Sequence, residues 1–492
     1  MKLNDLQGLI DRQWDESILP ELVQYVKIPA KSPAFDPSWD AHGHLQAVVA
    51  MAHAWCRAQA SKEGETPVLA GMKLEMIELE GKTPCIFFDV PATGGQSADR
   101  TILFYGHLDK QPEMTGWRDH LGPWKPVIEQ GRLYGRGSAD DGYAIYAAMA
   151  ALASLDRQSI PRPRCVGLIE TCEESGSPDL PAYIEHLKSR LGQVSLVIGL
   201  DSGCGNYEQL WVTTSLRGLV GGVLSVEILD EGVHSGSASG IVPSSFRIAR
   251  KLLNRLDDVD SGRVLAEVFH ASIPPERVEQ ARQAGAILGD MIWKQFPWVS
   301  CSHAPAGHDQ ACLSAQPTST DPVEAILNRT WRPALSVTGA ASLPSLDMAG
   351  NVLRPKTVLK LSMRIPPTVD AELASRELKQ MLERDAPYQA RVNFEADWAA
   401  SGWHAPAMPA GLSALLNDLS LQTFAKPAAY MGEGGTIPFM NMLGRYFPEA
   451  QFLITGVLGP QSNAHGPNEF LDIAYAKALT RLVAGVVARA QV

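Results

Sequence analysis

Between residues 5 and 28, apolar side chains recur at Leu6, Leu9, Ile10, Trp14, Ile18, Leu22, Val23 and Val26. This is the spacing of an amphipathic helix, so the stretch predicts one or two helices. A second helical stretch runs near Leu45–Ala58. Short apolar runs follow, each bounded by turn residues: Cys85–Val90, Thr101–Tyr105, Cys165–Glu170, Val194–Leu200 and Phe452–Val457. Near-continuous apolar blocks of this length are how strands covered on both faces read. Ala-rich helical segments, Tyr143–Leu155 and Ile473–Ala490, accompany them. Strands alternating with helices predict an α/β fold with a mixed, mostly parallel sheet flanked by helices.

The middle of the chain has a different rhythm. Leu216–Leu229 and Thr357–Ile365 alternate apolar with polar or small residues, as half-buried strands do, and helical stretches Ser244–Leu256 and Ala371–Arg384 sit among them. This predicts an α+β domain, an antiparallel sheet with helices on one face, inserted into the first. Within it, residues 257–333 show little periodicity and carry Pro274, Pro275, Pro305, Pro317 and Pro322, which predicts a long irregular excursion.

Composition narrows the classes. Of 492 residues, 45% are hydrophobic and 20% charged, which is ordinary for a globular chain long enough to bury a core without staples. The 43 Lys and Arg against 54 Asp and Glu leave a net charge of −11, which argues against a nucleic-acid partner or an anionic membrane surface. No apolar run approaches the ~18 residues that span a bilayer, and Met1–Ala30 predicts no secretory leader. The seven cysteines (Cys56, Cys85, Cys165, Cys172, Cys204, Cys301 and Cys312) have no Cys-x-x-Cys spacing, which predicts reduced thiols and a cytoplasmic protein.

Five segments place an acid or a histidine just after an apolar run. They are Gly106-His107-Leu108-Asp109; Gly135-Arg136-Gly137-Ser138-Ala139-Asp140-Asp141; Glu173-Glu174-Ser175-Gly176-Ser177; Asp201-Ser202-Gly203; and Asn463-Ala464-His465-Gly466. Singly, each has a plain reading: Asp140 or Asp201 as a helix cap, Glu173-Glu174 as a solvated turn, Gly135-x-Gly137 as a tight turn. Ligands of open α/β sheets bind outside the carboxyl ends of the strands, so all five could converge on one rim. Two imidazoles with three or four carboxylates form a donor set for zinc or manganese, and that many acids leave room for two ions.

In this order the segments resemble those of the M20 metallopeptidases, across nearly the whole chain. The middle insertion, Gln111-Pro112 after Asp109, and Gly432-Glu433-Gly434-Gly435-Thr436-Ile437-Pro438 look most like the carnosinase and cytosolic nonspecific dipeptidase branch. The resemblance implies a zinc-peptidase-like catalytic domain over residues 1–213 and 404–492, interrupted by a lid and dimerisation domain over 214–403. It implies two divalent ions, zinc first, with manganese and cobalt as alternatives. One would be held by His107, Asp140 and Asp201, the other by Asp140, Glu174 and His465. Glu173 would be the general base activating a metal-bridging hydroxide, Asp109 would orient His107, and the Asp140–Asp141 peptide would be cis. His234 would act across the interface of a homodimer. Arg364, with Gly435 and Thr436, would bind the substrate carboxylate.

The implied activity is a two-metal amide hydrolase, an exopeptidase or dipeptidase on short peptides with a free C-terminal carboxylate. An N-acyl amino acid deacylase is the alternative, and a non-catalytic binding protein on the same fold is a third. Asp140-Asp141-Gly142-Tyr143 lacks the lysine usual in the family's loop. His303 and His308 have no counterpart, and Ser401-Gly402-Trp403-His404 only loosely resembles the dipeptidase pattern at the return to the catalytic domain, so His404 is left out of the site.

Overall fold

The five apolar runs and one further strand form one sheet, because strands without polar faces are stable only when both faces are covered. In spatial order its strands are Lys73–Ile77, Cys85–Val90, Arg164–Glu170, Arg100–His107, Gln193–Gly199 and Gln451–Ile454. The last four run parallel, and Cys85–Val90 pairs antiparallel at one edge, followed by Lys73–Ile77. The fold is therefore the mixed, mostly parallel α/β sheet that the apolar blocks predict. These observations come from a computed structural model that describes residues 4–60, 68–96, 99–299 and 315–490.

Helices His44–Gln59 and Ala144–Arg157 pack on this sheet, and the first and last helices of the chain pack on Ala144–Arg157. Asn4–Gln13, Trp14–Ile18 and Leu19–Lys27 follow one another as one helical run with a wider turn in its middle. Its stripe of Leu6, Ile10, Trp14, Ile18, Leu22 and Val26 is fully or almost fully buried. Helix Ala144–Arg157 packs against Ile473–Arg489 and has almost no exposed side. Its small residues, among them Ala147, Ala148, Ala150, Ala151 and Ala153, let neighbouring backbones approach from several directions.

The chain clusters into two compact units. The first comprises Met1–Thr214, Ala405–Met431 and Met442–Val492; the second comprises Ser215–His404 and Gly432–Asn441. The second unit is built on a four-stranded antiparallel sheet in the order Ala334–Ala341, Lys356–Ile365, Gly218–Glu227 and Arg391–Ala400. Helices Ser245–Leu253 and Ala371–Glu383 cover one face, burying Leu224, Ile248, Leu252, Leu361, Met363, Leu378 and Phe394 in a common core. Each helix begins at a side-chain cap: Ser244 accepts from the N–H of Arg247 and Asp370 from that of Leu373.

The excursion over residues 257–333 is more ordered than its sequence suggests. It contains helices Pro275–Leu288, Met291–Lys294 and Pro322–Thr330. The first was hidden because its buried stripe is Arg277, Ala281, Ala284, Gly285 and Leu288, mostly too small to register as hydrophobic periodicity. His303, His308, Cys301 and Cys312 lie outside the described residues. Cys56, Cys85, Cys165, Cys172 and Cys204 are buried and unpaired with one another. Among the described residues no helix is long and apolar enough to cross a membrane.

Leu361 lies in the middle of the second unit's core with no solvent exposure. Leu361→Ala is expected to cost about 2–5 kcal/mol of unfolding free energy, measured by urea titration. A cost below about 1 kcal/mol would contradict this packing.

Candidate metal centre

Within the first unit, the carboxyl ends of the parallel strands deliver His107, the Glu173–Glu174 turn and Asp201, while Asp140 and His465 come from loops outside that sheet. His107 is the last residue of its strand, so the sheet ladder fixes its backbone. Its Nδ1 lies 3.1 Å from the backbone carbonyl of Asp109 and 3.4 Å from that residue's Oδ1. A proton on Nδ1 satisfies these oxygens and leaves the Nε2 lone pair directed into the site. Nε2 is buried without a hydrogen-bond partner. It faces Asp140 Oδ1 at 3.3 Å, Asp201 Oδ2 at 3.6 Å and Glu173 Oε2 at 3.9 Å.

Asp140 is presented by the glycine loop between strand Arg132–Tyr134 and helix Ala144–Arg157. Gly135 and Gly137 have φ of 144° and 80°, in the region that favours glycine. A Cβ on Gly135 would also meet Val26 at 2.3 Å, so the loop is pressed against the N-terminal helical run. The Asp140–Asp141 peptide is cis. The second oxygen of Asp140, Oδ2, lies 3.1 Å from Nε2 of His465, and that nitrogen is 3.3 Å from Glu174 Oε2. One carboxylate therefore faces both imidazoles, one oxygen to each.

Glu173 and Glu174 occupy a single tight turn after strand Arg164–Glu170. The carboxylate of Asp109 holds this turn: Oδ1 accepts from the N–H of Glu173 at 3.1 Å and Oδ2 from that of Glu174 at 3.0 Å. Asp109 thus reaches His107 mainly through its backbone carbonyl and anchors the two glutamates with its side chain. Gln111 donates to Glu174 Oε2, a contact that sequence reasoning missed.

The electrostatics are those of an anionic cage. Asp140, Glu173, Glu174 and Asp201 are all at most 9% exposed. Burial, and then the charges of neighbouring acids, raise Glu173 and Glu174 well above the usual carboxylate range, with His107 opposing. Burial disfavours a charged His107, but the surrounding carboxylates of Asp109, Asp140 and Asp201 outweigh it and raise its pKa well above the ordinary value. Glu170, deeper in the same strand, is pushed up to about 7 by burial, although Tyr105, Cys172 and Ser177 hydrogen-bond to it.

The donor set fits divalent cations. Ligand atoms of His107, Asp140 and Asp201 lie within 4.8 Å of one another, as do those of Asp140, Glu174 and His465. In a tetrahedral shell with bonds of about 2.0–2.2 Å, ligand atoms stand roughly 3.3–3.6 Å apart. The partnerless His107 Nε2, aimed at two carboxylates, is explained if a cation occupies the gap.

The remaining candidate residues lie in the second unit. Arg364, on strand Lys356–Ile365, donates from Nη1 to Thr436 Oγ1 at 2.6 Å, so these two meet, with Gly435 adjacent in sequence. Arg217, which sequence reasoning missed, is buried nearby. It donates to the carbonyls of Gly434, Asn328 and Arg332, and burial, then Arg364 and Arg329, push its pKa down to about 9. His234 is exposed at the end of a two-residue strand, opposite Val352.

An α/β core that gathers histidines and acids close enough to hold a metal ion defines a class of candidate metal-binding α/β proteins. The profile of Peptidase family M20/M25/M40 matches residues 103–489, and the chain belongs to that family of peptidases. It is 25% identical over 387 residues to a cysteinylglycine-S-conjugate dipeptidase of Corynebacterium striatum, covering 76% of this chain and 77% of the relative. It is 26% identical over 295 residues to the Beta-Ala-His dipeptidase of Homo sapiens, covering 59% of this chain and 55% of that one, so only about half of the human protein's length is matched. Solved structures of the di-peptidase Dug1p from Saccharomyces cerevisiae and of human carnosine dipeptidase 1 each superpose with a TM-score of 0.73 at 20% identity. The first comparison covers 99% of this chain and 98% of the other, the second 100% of both, and they show the shared fold.

Because the Asp109 carboxylate holds the amides of both glutamates, Asp109→Ala is expected to lower metal affinity or turnover by about 10–100-fold. Chelator competition and steady-state kinetics measure this, and wild-type values in both would contradict the anchoring role.

Proposed function

We propose that the protein is a two-metal dipeptidase that removes one residue from dipeptides or short peptides with a free C-terminal carboxylate. The observation that carries this is the shared Asp140, whose two oxygens face His107 and His465 with Glu173 beside the pair. The dipeptidase names of the matched relatives support the substrate class. In this reading His107, Asp140 and Asp201 hold one ion and Asp140, Glu174 and His465 the other, zinc being the first candidate, with manganese or cobalt as alternatives. When bound, such a pair supplies Lewis acidity for the scissile carbonyl and lowers the pKa of water.

The chain's own residues do the rest. Glu173 takes the proton of the attacking water and delivers it to the leaving amine, a task suited to a carboxylate whose proton affinity is raised by burial. Arg364 and Thr436 bind the substrate carboxylate, for which a guanidinium fork is suited. His234 donates to the developing oxyanion of a second copy of the chain. In support of a homodimer through the second unit, Ile241, Leu346 and Met348 are 83%, 95% and 73% exposed, and Val352 pairs with His234. The second unit then serves as the lid and dimerisation domain. The described cysteines are buried and form no disulfide with one another, which supports a cytoplasmic, reducing setting.

Glu173→Gln is expected to lower kcat by ~100-fold or more with metal still bound; turnover near wild type would refute the base assignment. Wild-type protein is expected to cleave dipeptides faster than N-acetyl amino acids, and the reverse order would indicate a deacylase. For His234, mixed dimers of His234→Ala and Glu173→Gln are expected to regain activity that neither variant has alone. Inactive mixed dimers would show that His234 does not act in trans.

A further inference from the structure

Two of the proposed metal ligands, Asp140 and His465, sit on loops far apart in sequence, and a buried ion pair bridges those loops beside the strand pairing of Phe470 with Tyr134. Glu469 and Arg136 are 0% and 1% exposed, and Glu469 Oε2 accepts from Arg136 Nη1 at 2.7 Å. The other oxygen of Glu469 accepts from the N–H groups of Gly137, Ala139 and Asp140 at 3.0, 3.3 and 3.4 Å. The Arg136 guanidinium donates from Nη2 to the carbonyls of His465 and Gly466 at 3.2 and 2.8 Å, and from Nε to Pro112 at 3.1 Å. The pair therefore grips the glycine loop, the His465 loop and the segment after Asp109 together.

A buried ion pair is a poor source of stability, because desolvation offsets its attraction. What this pair supplies is direction: a five-donor planar fork fixes three carbonyls at once, and an acid fixes three amides of the glycine loop. The two candidate ion sites depend on it unequally. His107 ends a paired strand and Asp201 follows another. His465 lies in a loop where Gln461, Asn463, His465 and Asn468 all have positive φ, and its side chain is 57% exposed. Beyond Arg136, the loop is tied through Asn468 to the N–H of Arg118 and the carbonyl of Gly116.

We propose that Arg136 and Glu469 are positioning residues that set the distance between Asp140 and His465. They thereby set the affinity for the ion held by Asp140, Glu174 and His465 more than for the ion held by His107, Asp140 and Asp201. This rests on the two-ion reading above.

The test uses Glu469→Gln, Arg136→Lys and the apolar double variant Arg136→Met with Glu469→Leu, which removes both charges without stranding either. Zinc binding is followed by chelator competition, alongside kcat, KM and the thermal midpoint of the metal-free protein. The expected result is that one of the two zinc-binding steps weakens by about 10–100-fold while the other changes little. In the same variants kcat at limiting zinc falls with KM preserved and recovers as zinc is raised, and the double variant's metal-free midpoint stays near wild type. Two wild-type binding steps, or equal weakening of both, would overturn the proposal. His465→Ala separates the layers: if it keeps both zinc steps, the two-ion reading fails; if it loses one while the clamp variants lose none, only the clamp fails.

Discussion

Asp140, Glu173, Glu174 and Asp201 are carboxylates with almost no contact with water, and among the described residues two imidazoles, His107 and His465, share their space. Ionised acids buried beside one another cost several kcal/mol each unless positive charge is placed among them. The backbone can neutralise some of this, as it does where two amides meet Asp109. For the other four it does not suffice, and the site is stable in its charged form when cations fill it. The rest of the first unit can be understood as the scaffold that brings these acids together and keeps water and alternative partners away.

That scaffold divides the work between rigid and adjustable parts. Parallel strands end at His107 and just before Asp201, so these side chains start from backbone fixed by ladders. Asp140 and the two glutamates come from tight turns whose φ values require glycine at Gly135, Gly137 and Gly176. His465 comes from the least regular segment. The residues that compensate, Arg136 and Glu469, never touch the candidate ion positions and act through main-chain contacts.

Much of this was legible before any coordinates. Apolar blocks mark the parallel strands because both faces of that sheet are covered, and alternation marks Gly218–Glu227 and Lys356–Ile365 because only one face is. Edge strands Ala334–Ala341 and Arg391–Ala400 carry no such signal, since most of their residues remain exposed. Helix Pro275–Leu288 was hidden by a buried face of Ala and Gly. The ligand candidates stood out because acids and histidines directly follow apolar runs. The dual grip of Arg136 was not legible, because it consists of hydrogen bonds to backbone carbonyls, and any sequence supplies those. For the same reason Asp109 read as a partner of His107 alone, while its carboxylate holds two amides.

The central claim is that this acid cage holds two ions joined by Asp140. Crystals of zinc-loaded protein, measured at the zinc absorption edge, test it most directly. Two anomalous peaks about 3.5–4 Å apart are expected. Asp140 should contact both, with His107 and Asp201 on one and Glu174 and His465 on the other. A single peak, or two peaks that do not share Asp140, would contradict the account.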